Sequence, residues 1–427
     1  MTLNRTQHPE FNKIEHINFP KVEKITLDNK VPLYILNGGS QPVLKLDVMV
    51  NAGSIYSTKK LIAPSTGLML HEGSKNKTGH EIAEIFDFYG AYFQPSVEKD
   101  VAFCGLVTLS KHLDKTLPLF NEVLNHSTFP ENEVSIMLER RRQNFLVDME
   151  KTAYVARELF NQQLFGAQHP YGMLTRETDY TNTNRKELFD FYQTHYNSGN
   201  YTLVLSGMVT ENDIKLINDL MGKTPAIKAL PIPEITPTPI ATSEPIVSIK
   251  DDAVQSSIRM GLLTINKFHD DYLGLKILTT IFGGYFGSRL MKNIREEKGF
   301  TYGINSQLVS FQNCGYMGIA ADVKAQHARE AIDEIKKEME KLRTAKVSQE
   351  ELNLVQNYMM GDMLQMFDGP LATSDTFKAM LQYNMGFEYF ERMKQSILSI
   401  TPDQLLELAN KYFNFDKLIT VVVGKYE

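Results

Sequence analysis

Apolar and polar residues alternate in two segments that lie far apart in the chain. Apolar residues occupy positions 44, 46, 48 and 50 in the first segment, and positions 258, 260 and 262 in the second. Alternation with a period of two is typical of a β-strand that buries one face. A mainly apolar segment of helical length follows each strand, at 62–72 and at 272–282. The pattern predicts the same strand–helix order at the start of two regions.

The same order of elements continues through both regions. Further alternating strands are predicted around 91–109 and 302–323, and long amphipathic helices at 131–151 and 349–366. Strands that lie beside helices in this order predict an α+β fold. We expect each region to form a mixed, mainly antiparallel sheet with helices packed on one face.

The ends of the two regions resemble each other residue by residue. Residues 185–209 and residues 402–426 both predict a helix, a short turn and a strand. Matching residues are 217 positions apart throughout: Leu188 and Leu405, Tyr196 and Phe413, Val204 and Val421, Gly207 and Gly424. A constant offset over 25 residues indicates two homologous domains that arose by tandem duplication rather than a short-period solenoid.

A proline-rich segment separates the two regions. Six of the 17 prolines lie between residues 224 and 245, where neither a helix nor a central strand would tolerate them. We therefore predict an N-terminal domain at 1–223, an extended linker at 224–245 and a C-terminal domain at 246–427.

Composition excludes some classes of function. A net charge of −6 and the absence of a dense basic run argue against a nucleic-acid partner. No stretch of about 18 apolar residues occurs, so we expect no membrane span. Residues 1–10 have no apolar core, and only two cysteines occur, which suggests free thiols. We expect a cytoplasmic protein, although a removed signal peptide stays open.

Residues 61–74 read LIAPSTGLMLHEGS. Met69, Leu70, Gly73 and Ser74 in this spacing resemble the sequence that follows the inverted zinc motif H-x-x-E-H of insulinase/pitrilysin-type zinc peptidases. That resemblance aligns the two histidines and the glutamate of the motif with three residues that cannot bind zinc or transfer a proton: Pro64, Leu68 and Gly67. The chain resembles a peptidase of this family without its zinc-binding residues.

The third zinc ligand of the family is a glutamate on a later helix. The resemblance places it in residues 139–149, at Asp148. One carboxylate alone cannot hold zinc, so we predict neither a metal site nor a cofactor. Residues 169–172 read HPYG and resemble a turn that is common in the family. The resemblance implies two homologous α+β domains, in agreement with the pattern above.

A relocated metal site is an alternative. His71-Glu72 and His80-Glu81 are suggestive, but Lys75 and Glu84 occupy the positions at which H-E-x-x-H requires its second histidine. A solvated helix surface is the more common origin of a His80/Glu84 pair. A metal bound by His71, His80 and Glu84 stays open as the less favoured alternative.

Residues 283–288 read GGYFGS and follow a helical pattern. They contain no lysine of the kind that a phosphate-binding loop uses. We predict a helix end and a hinge here.

Residues 288–304 read SRLMKNIREEKGFTYGI and resemble the second signature of the same family. The resemblance implies that Arg295 and Tyr302 lie on the substrate side, with the arginine bonded to a peptide carbonyl and the tyrosine hydroxyl to the scissile carbonyl. A salt bridge to a neighbouring glutamate and a strand-edge aromatic are the structural alternatives. We expect Arg289 to pack at the domain interface.

In this family, one chain of some pairs holds zinc and the other supplies the Arg/Tyr element. The sequence therefore suggests a non-catalytic, substrate-binding subunit whose partners are a zinc-bearing homologous peptidase subunit and a peptide substrate. An inert structural or binding protein, like the core proteins of respiratory complexes, is the alternative. An active peptidase with a relocated metal is the third reading.

Overall fold

The chain forms two sheets with surrounding helices, in a computed structural model that describes residue 14 and residues 17–225, 230–242 and 244–426. Residues 1–10, in which we expect no signal peptide, lie outside the described residues. Residues 226–229 and 243 of the predicted linker also lie outside them. Domain boundaries at 223/224 and 245/246 therefore stay predictions.

The N-terminal half contains strands β1 to β6 and helices α1 to α8. The strands are β1 (Glu23–Thr26), β2 (Pro32–Asn37), β3 (Val43–Val50), β4 (Tyr92–Val97), β5 (Ala102–Leu109) and β6 (Tyr201–Gly207). The helices are α1 (Ile62–Met69), α2 (Gly79–Phe88), α3 (Leu113–Asn125), α4 (Glu131–Met149), α5 (Thr152–Phe165), α6 (Glu177–Asn182), α7 (Arg185–His195) and α8 (Glu211–Met221).

The C-terminal half contains strands β7 to β11 and helices α9 to α14. The strands are β7 (Ile246–Ser248), β8 (Gln255–Thr264), β9 (Thr301–Ser310), β10 (Gly315–Lys324) and β11 (Ile419–Val423). The helices are α9 (Tyr272–Thr279), α10 (Ala328–Thr344), α11 (Gln349–Gln365), α12 (Gly369–Leu381), α13 (Glu388–Ser399) and α14 (Pro402–Tyr412). Two further segments, Thr280–Gly284 and Met291–Glu297, are π-helical.

Both sheets are mixed and mainly antiparallel. The first has the strand order β1-β2-β6-β3-β5-β4, and only β2 and β6 pair in parallel. The second has the order β7-β11-β8-β10-β9, and only β7 and β11 pair in parallel. The predicted α+β fold with two mixed sheets is confirmed.

The predicted duplication is visible in backbone conformation. Gly207 and Gly424 both have a positive φ, of 116° and 126°. A Cβ atom at Gly207 would lie 2.0 Å from the carbonyl oxygen of Val43, so only glycine fits there. Asn197 and Asn414, which are also 217 residues apart, each cap the short 3-10 turn before the final strand through a side-chain oxygen.

Each half places one helix on the sheet of the other half. Helix α5 packs on β8 and β11, and helix α12 packs on β6 and β2. Thr152 and Gly369, the first residues of these helices, are again 217 residues apart. Both exchanged helices bury apolar side chains: Ala156, Phe160 and Leu164 lie against Ile419, Val421 and Val423, and Phe377 and Leu381 lie against Leu36, Met49, Phe103 and Val204.

This exchange corrects one expectation for β3. Its alternation predicted a strand with a single buried face, but both faces are buried. Leu44, Leu46, Val48 and Val50 face their own core, while Lys45, Asp47 and Met49 face the exchanged helix α12. Lys45 bonds Asp375 at 2.6 Å, while Lys378 bonds Asp47 at 3.2 Å and Asp375 at 2.7 Å. Charges buried in this way persist because each one has an opposite partner.

A second polar contact joins the halves where three turns meet. The hydroxyl of Tyr171 donates a hydrogen bond to Asp100, and the backbone N–H of Gln312 donates another to the same carboxylate at 2.9 Å. Burial raises the pKa of Asp100, and these two hydrogen bonds oppose the rise. Asp100 is 3% exposed. Its two hydrogen bonds join the HPYG turn, through Tyr171, and the β9–β10 turn, through Gln312, to the β4–β5 turn.

His169 of the HPYG turn holds the linker. Its Nδ1 accepts a hydrogen bond from the Tyr171 N–H at 3.1 Å, so its Nε2 carries the proton and donates to the carbonyl of Ile235 at 3.2 Å. Burial lowers the pKa of His169 below its ordinary value of 6.5. A second proton on this ring would remove the acceptor that Tyr171 uses.

We predict that the free energy of unfolding decreases as the pH falls below about 6.5, in part through His169. The unfolded chain takes up the proton at the ordinary pKa and the folded chain only at a lower pH, so the contribution is complete above 6.5 and is lost on acidification. A single titrating group such as His169 changes the free energy of unfolding by at most about 1.4 kcal/mol per pH unit. Urea unfolding at pH 7.5 and 5.5 should show a smaller loss for His169→Asn than for the unaltered chain. Equal losses would contradict this prediction.

Candidate functional site

The three residues that align with H-x-x-E-H all lie on helix α1. Gly67, which aligns with the glutamate, is packed against strand β4, and a Cβ atom there would lie 2.5 Å from Val97 Cγ2. Pro64 is partly buried and Leu68 is 38% exposed. Val97 thus fills the space that a catalytic carboxylate at position 67 would need.

Helix α4, which the family resemblance assigns the third ligand, faces α1 with other residues. Arg141 Nη1 donates a hydrogen bond to Ser65 Oγ at 2.5 Å, and Phe145 is buried in a cluster with Leu61 and Tyr180. Asp148 bonds Lys151 at 2.7 Å. The Asp148 carboxylate therefore pairs with Lys151, just after the end of its own helix. Arg141 and Phe145 make the contacts toward α1 instead.

Edge strand β4 contains a feature that the sequence analysis missed. The backbone N–H of Glu98 donates to the carbonyl of Val101 at 2.9 Å. Hydrogen-bonded and non-hydrogen-bonded pairs alternate along an antiparallel ladder, so Pro95, opposite Cys104, belongs to a non-hydrogen-bonded pair. Its nitrogen therefore lies at the open edge and offers no N–H there. A proline inside an otherwise alternating strand was the available signal.

His71 and His80, the histidines of the relocated-metal alternative, lie in separate pairs. His71 Nε2 is 3.8 Å from Glu72 and its ring packs on Phe93, whereas His80 Nδ1 is 3.5 Å from the exposed Glu84. Burial lowers the pKa of His71. Among the residues that the structure describes, no three His, Cys, Asp or Glu side chains are grouped to hold a metal ion.

Arg295 stacks on an aromatic ring instead of forming the salt bridge that we considered. Its Cζ lies 4.6 Å from the centre of the Phe286 ring. In the part of the chain that the structure describes, its guanidinium has no carboxylate or carbonyl partner. Stacking uses the faces of the planar guanidinium and leaves its five N–H groups available in the plane. Arg295 therefore contacts Phe286 while its N–H groups can still donate hydrogen bonds.

Tyr302 lies near the start of β9, the edge strand of the second sheet, and its side chain is 89% exposed. The next residue, Gly303, lines an open cavity of about 510 Å³, and Phe286 lines the same cavity. Each of the two predicted residues is thus next to a lining residue: Arg295 contacts Phe286, and Tyr302 precedes Gly303 in the chain.

The two neighbouring expectations need correction. Arg289 does not pack between the halves, because its guanidinium forms a paired contact with Glu351 of the same half, at 2.9 and 2.8 Å. The GGYFGS segment is packed rather than hinge-like. Tyr285 stacks on Tyr358 with ring centres 4.9 Å apart, and a Cβ atom at Gly283 would lie 2.6 Å from Ser306 Cβ. These contacts fix the segment that carries Phe286.

Solved structures share this fold. A peptidase M16 inactive domain from Pseudomonas fluorescens matches with a TM-score of 0.85 and 24% identity, covering 95% of this chain and 98% of that one. A protease from Helicobacter pylori matches with a TM-score of 0.87 and 20% identity, covering 95% and 100%. The architecture is thus that of a two-domain peptidase-like chain.

Family comparisons agree with the resemblance seen in the sequence. Residues 36–169 match the family model described as insulinase (peptidase family M16), and residues 182–359 match the model described as the peptidase M16 inactive domain. The chain belongs to the insulinase family, peptidase family M16, and it lacks the H-x-x-E-H motif. An uncharacterized zinc protease, YmxG, of Bacillus subtilis is 22% identical over 80% of this chain and 84% of its own length. The mitochondrial-processing peptidase subunit beta of Rattus norvegicus is 21% identical over 93% and 83%.

Restoring the family motif should not restore a zinc site. We predict that the triple substitution Pro64→His, Gly67→Glu and Leu68→His binds no stoichiometric zinc and lowers the free energy of unfolding by about 1–3 kcal/mol, because the new glutamate overlaps Val97. Metal analysis after dialysis and urea unfolding measure the two effects.

Leu68→His alone is the control for the triple substitution. It adds a histidine at an exposed position and should change the free energy of unfolding by no more than about 0.5 kcal/mol. One tightly bound zinc ion per triple-substituted chain, at unchanged stability, would contradict the packing argument.

Proposed function

We propose that this chain is the non-catalytic, substrate-binding subunit of a heterodimeric insulinase-type zinc peptidase. Its partner would be a zinc-bearing homologue, and its ligand an extended peptide. The observation that carries the proposal is the state of Arg295: among the described residues its guanidinium has no hydrogen-bonding partner, and its Cζ lies 4.6 Å from the ring of Phe286, which lines an open cavity together with Gly303, the neighbour of Tyr302. Arg289, by contrast, is paired with Glu351.

The chemistry of the two residues suits a peptide carbonyl. The in-plane N–H groups of Arg295 can donate to a carbonyl oxygen, and the exposed hydroxyl of Tyr302 can donate to an oxygen that gains negative charge during hydrolysis. The partner would supply the zinc and the base that activate water. This chain would contribute orientation and charge stabilisation, which act at the substrate rather than at the metal.

The N-terminal half supports a division of labour. A peptide that extends a sheet bonds to the open N–H and C=O groups of an edge strand, and Pro95 removes one such donor from β4 beside α1. Val97 fills the place of a base. Both features leave the N-terminal half without a means of attacking a peptide, while the C-terminal half keeps exposed donors.

The names of the relatives point in the same direction. One of them, YmxG, is called a zinc protease, and another is called a subunit of a processing peptidase. A subunit role, a zinc-bearing partner and a cytoplasmic location are proposals for this chain, and so is the lack of a nucleic-acid partner. No helix among the described residues is both long and apolar enough to cross a membrane.

An inert structural or binding protein of the same fold is the second candidate. The filled zinc position and the proline at the β4 edge favour it as much as they favour the first proposal, because both are compatible with a chain that does no chemistry. The two candidates differ at Arg295 and Tyr302, which only the first one needs.

We predict that Arg295→Ala and Tyr302→Phe each lower the kcat of the paired enzyme by about 100-fold or more, because each removes a donor to the developing oxyanion. Peptide hydrolysis by the reconstituted pair is the measurement. Arg329→Ala and Tyr92→Phe are matched controls: Arg329 also stacks on a ring, that of Tyr426 at 4.7 Å, and Tyr92 is also an exposed edge-strand tyrosine. Both should leave kcat within about twofold.

Three results would count against the proposal. Near-normal rates for both site variants would remove the role of Arg295 and Tyr302. Hydrolysis by the isolated chain that a chelator abolishes would show a metal site of its own. Purification from the native cell with stable partners, none of which carries H-x-x-E-H, would favour the inert protein.

A further inference from the structure

Two lysines of the C-terminal half lack the partners that charges removed from water usually have. Lys267 follows β8 and Lys276 lies on α9, and both side chains are partly buried. Within the described part of the chain, neither amino group forms a salt bridge or a hydrogen bond. Charged side chains away from water are normally paired with an opposite charge, so these two amines are exceptions.

The amine of Lys267 lies among tyrosine rings. Its Nζ is 4.4 Å from the centre of the Tyr383 ring and 5.9 Å from the centre of the Tyr389 ring. The ring of the next residue, Phe268, packs on Tyr383 and is 51% exposed. The aromatic cluster around Lys267 therefore extends to the protein surface at Phe268.

Tyr389 adds an unsatisfied hydroxyl to the same cluster. Its side chain is 2% exposed, and among the described residues its hydroxyl has no hydrogen-bond partner. The hydroxyl of Tyr383, by contrast, donates to the carbonyl of Ser310 at 2.6 Å. A buried hydroxyl without an acceptor is unfavourable. The cluster thus contains a donor without an acceptor as well as amines without a counter-charge.

Helix α9 brings Lys276 to this cluster. Tyr272 and Lys276 are one turn apart on α9 and share a face of the helix. Tyr272 belongs to the same buried cluster as Tyr389, and α9 packs on α13, which carries Tyr389. The charge of Lys276 is close enough to disfavour a charge on Lys267. A negative group on Lys267 would therefore meet an opposite charge at Lys276.

The surroundings favour an uncharged amine at Lys267. Burial, together with the nearby charge of Lys276, lowers the pKa of Lys267 to about 8. At pH 7.5 about a quarter of such amines are uncharged, against about one in a thousand for an ordinary lysine. Only an uncharged amine has the lone pair that a nucleophile needs. Lys267 is therefore better prepared than an exposed lysine to attack an electrophile.

We propose that Lys267 binds carbon dioxide as a carbamate, with Lys276 and Tyr389 as the partners of the new group. The nitrogen lone pair forms a bond to the carbon of carbon dioxide, one C=O bonding pair moves to oxygen, and the nitrogen releases a proton to water. Nothing is oxidised or reduced, and no group leaves. The product carries one negative charge, which gives Lys276 a counter-charge and the Tyr389 hydroxyl an acceptor.

Carbon dioxide suits this site for two further reasons. It is small and uncharged, so it needs no wide opening to reach a partly buried amine. It also satisfies all three unpaired groups at once, whereas an acetyl group would give Tyr389 an acceptor and leave Lys276 without a counter-charge. The inference is independent of the proposed function, because it involves no peptide, zinc or partner chain.

The test exposes the full chain to ¹³C-bicarbonate at pH 7.5 and traps carbamates with triethyloxonium ion, which converts them to stable ethyl esters. Peptide mass spectrometry then locates and quantifies the label. We expect Lys267 to carry at least about 10-fold more label than any exposed lysine, because far more of its amine is uncharged. Lys24 is the internal comparison, since it also lies over a tyrosine ring, 5.3 Å from the centre of Tyr34, but is exposed.

Substitutions identify the partners of the carbamate. Lys267→Arg should abolish the label at this position, whereas Lys24→Arg, the matched control, should leave it unchanged. Lys276→Met should lower the label on Lys267 by about 10-fold and Tyr389→Phe by about threefold, because they remove the counter-charge and the hydrogen-bond donor. The thermal midpoint of the unaltered chain should rise under carbon dioxide, and that of Lys267→Arg should not. Circular dichroism checks that each variant is folded.

The label on the unaltered chain decides the proposal without any substitution. Label spread evenly over exposed lysines, or none on Lys267, would overturn it and leave the Tyr383 ring as the sole partner of the amine. Label on Lys267 that stays unchanged in folded Lys276→Met and Tyr389→Phe would overturn the assigned partners. Selective label on Lys267 that falls in both variants would support the inference.

Discussion

The exchange of helices α5 and α12 between the halves is the constraint on which the rest of the structure depends. Each sheet covers one face with its own helices and needs a helix of the other half for the second face. Neither half could bury both faces of its sheet alone, and exposed apolar sheet faces are costly. The halves must therefore form one unit, in which the polar contacts of Lys45, Asp47 and Asp100 specify a single arrangement.

This constraint also decides which surfaces stay free. Helix α5 packs on β8 and β11, while Gly303, Asn305 and Ala320 of β9 and β10 line an open cavity. The open part of the second sheet coincides with the second family signature. In the first sheet, the corresponding edge strand carries Pro95 and packs Val97 against Gly67. Two halves of common origin thus present different surfaces: one is closed by packing, the other keeps open space and free donors.

The sequence predicted the parts of the fold that local pattern determines. Alternation and helical periodicity located the strands and helices. The offset of 217 residues paired Gly207 with Gly424, and the structure shows that both have a positive φ. The exchanged helices escaped prediction because periodicity reports which residues share a face and not what covers that face. Lys45 and Asp47 look like solvent-facing residues until Asp375 and Lys378, some 330 residues away, are placed beside them.

The candidate site also has a part that the sequence predicts and a part that only tertiary packing determines. Arg295 and Tyr302 were found by resemblance to a signature, because their spacing is local. The contacts of the arginines in this signature are set by tertiary packing, which the sequence pattern does not reveal. Arg289 pairs with Glu351, 62 residues away, and Arg295 lies against Phe286, which follows a helix end. Phe286 could have been noticed as an aromatic residue between glycines.

The absence of the zinc motif and the presence of the Arg/Tyr element become one argument when packing is considered. A protein that had merely lost three residues would keep a vacant niche on α1, and side-chain substitution alone could refill it. Here the niche is closed by Val97, and the face of α4 toward α1 presents Arg141 and Phe145, so a return of the ligands would require the helices to move apart. Close packing of a core tolerates such movement poorly. In the C-terminal half, by contrast, the guanidinium of Arg295 lies against the Phe286 ring and has no hydrogen-bonding partner among the described residues. This contrast in packing supports the proposal that the chain acts through Arg295 and Tyr302.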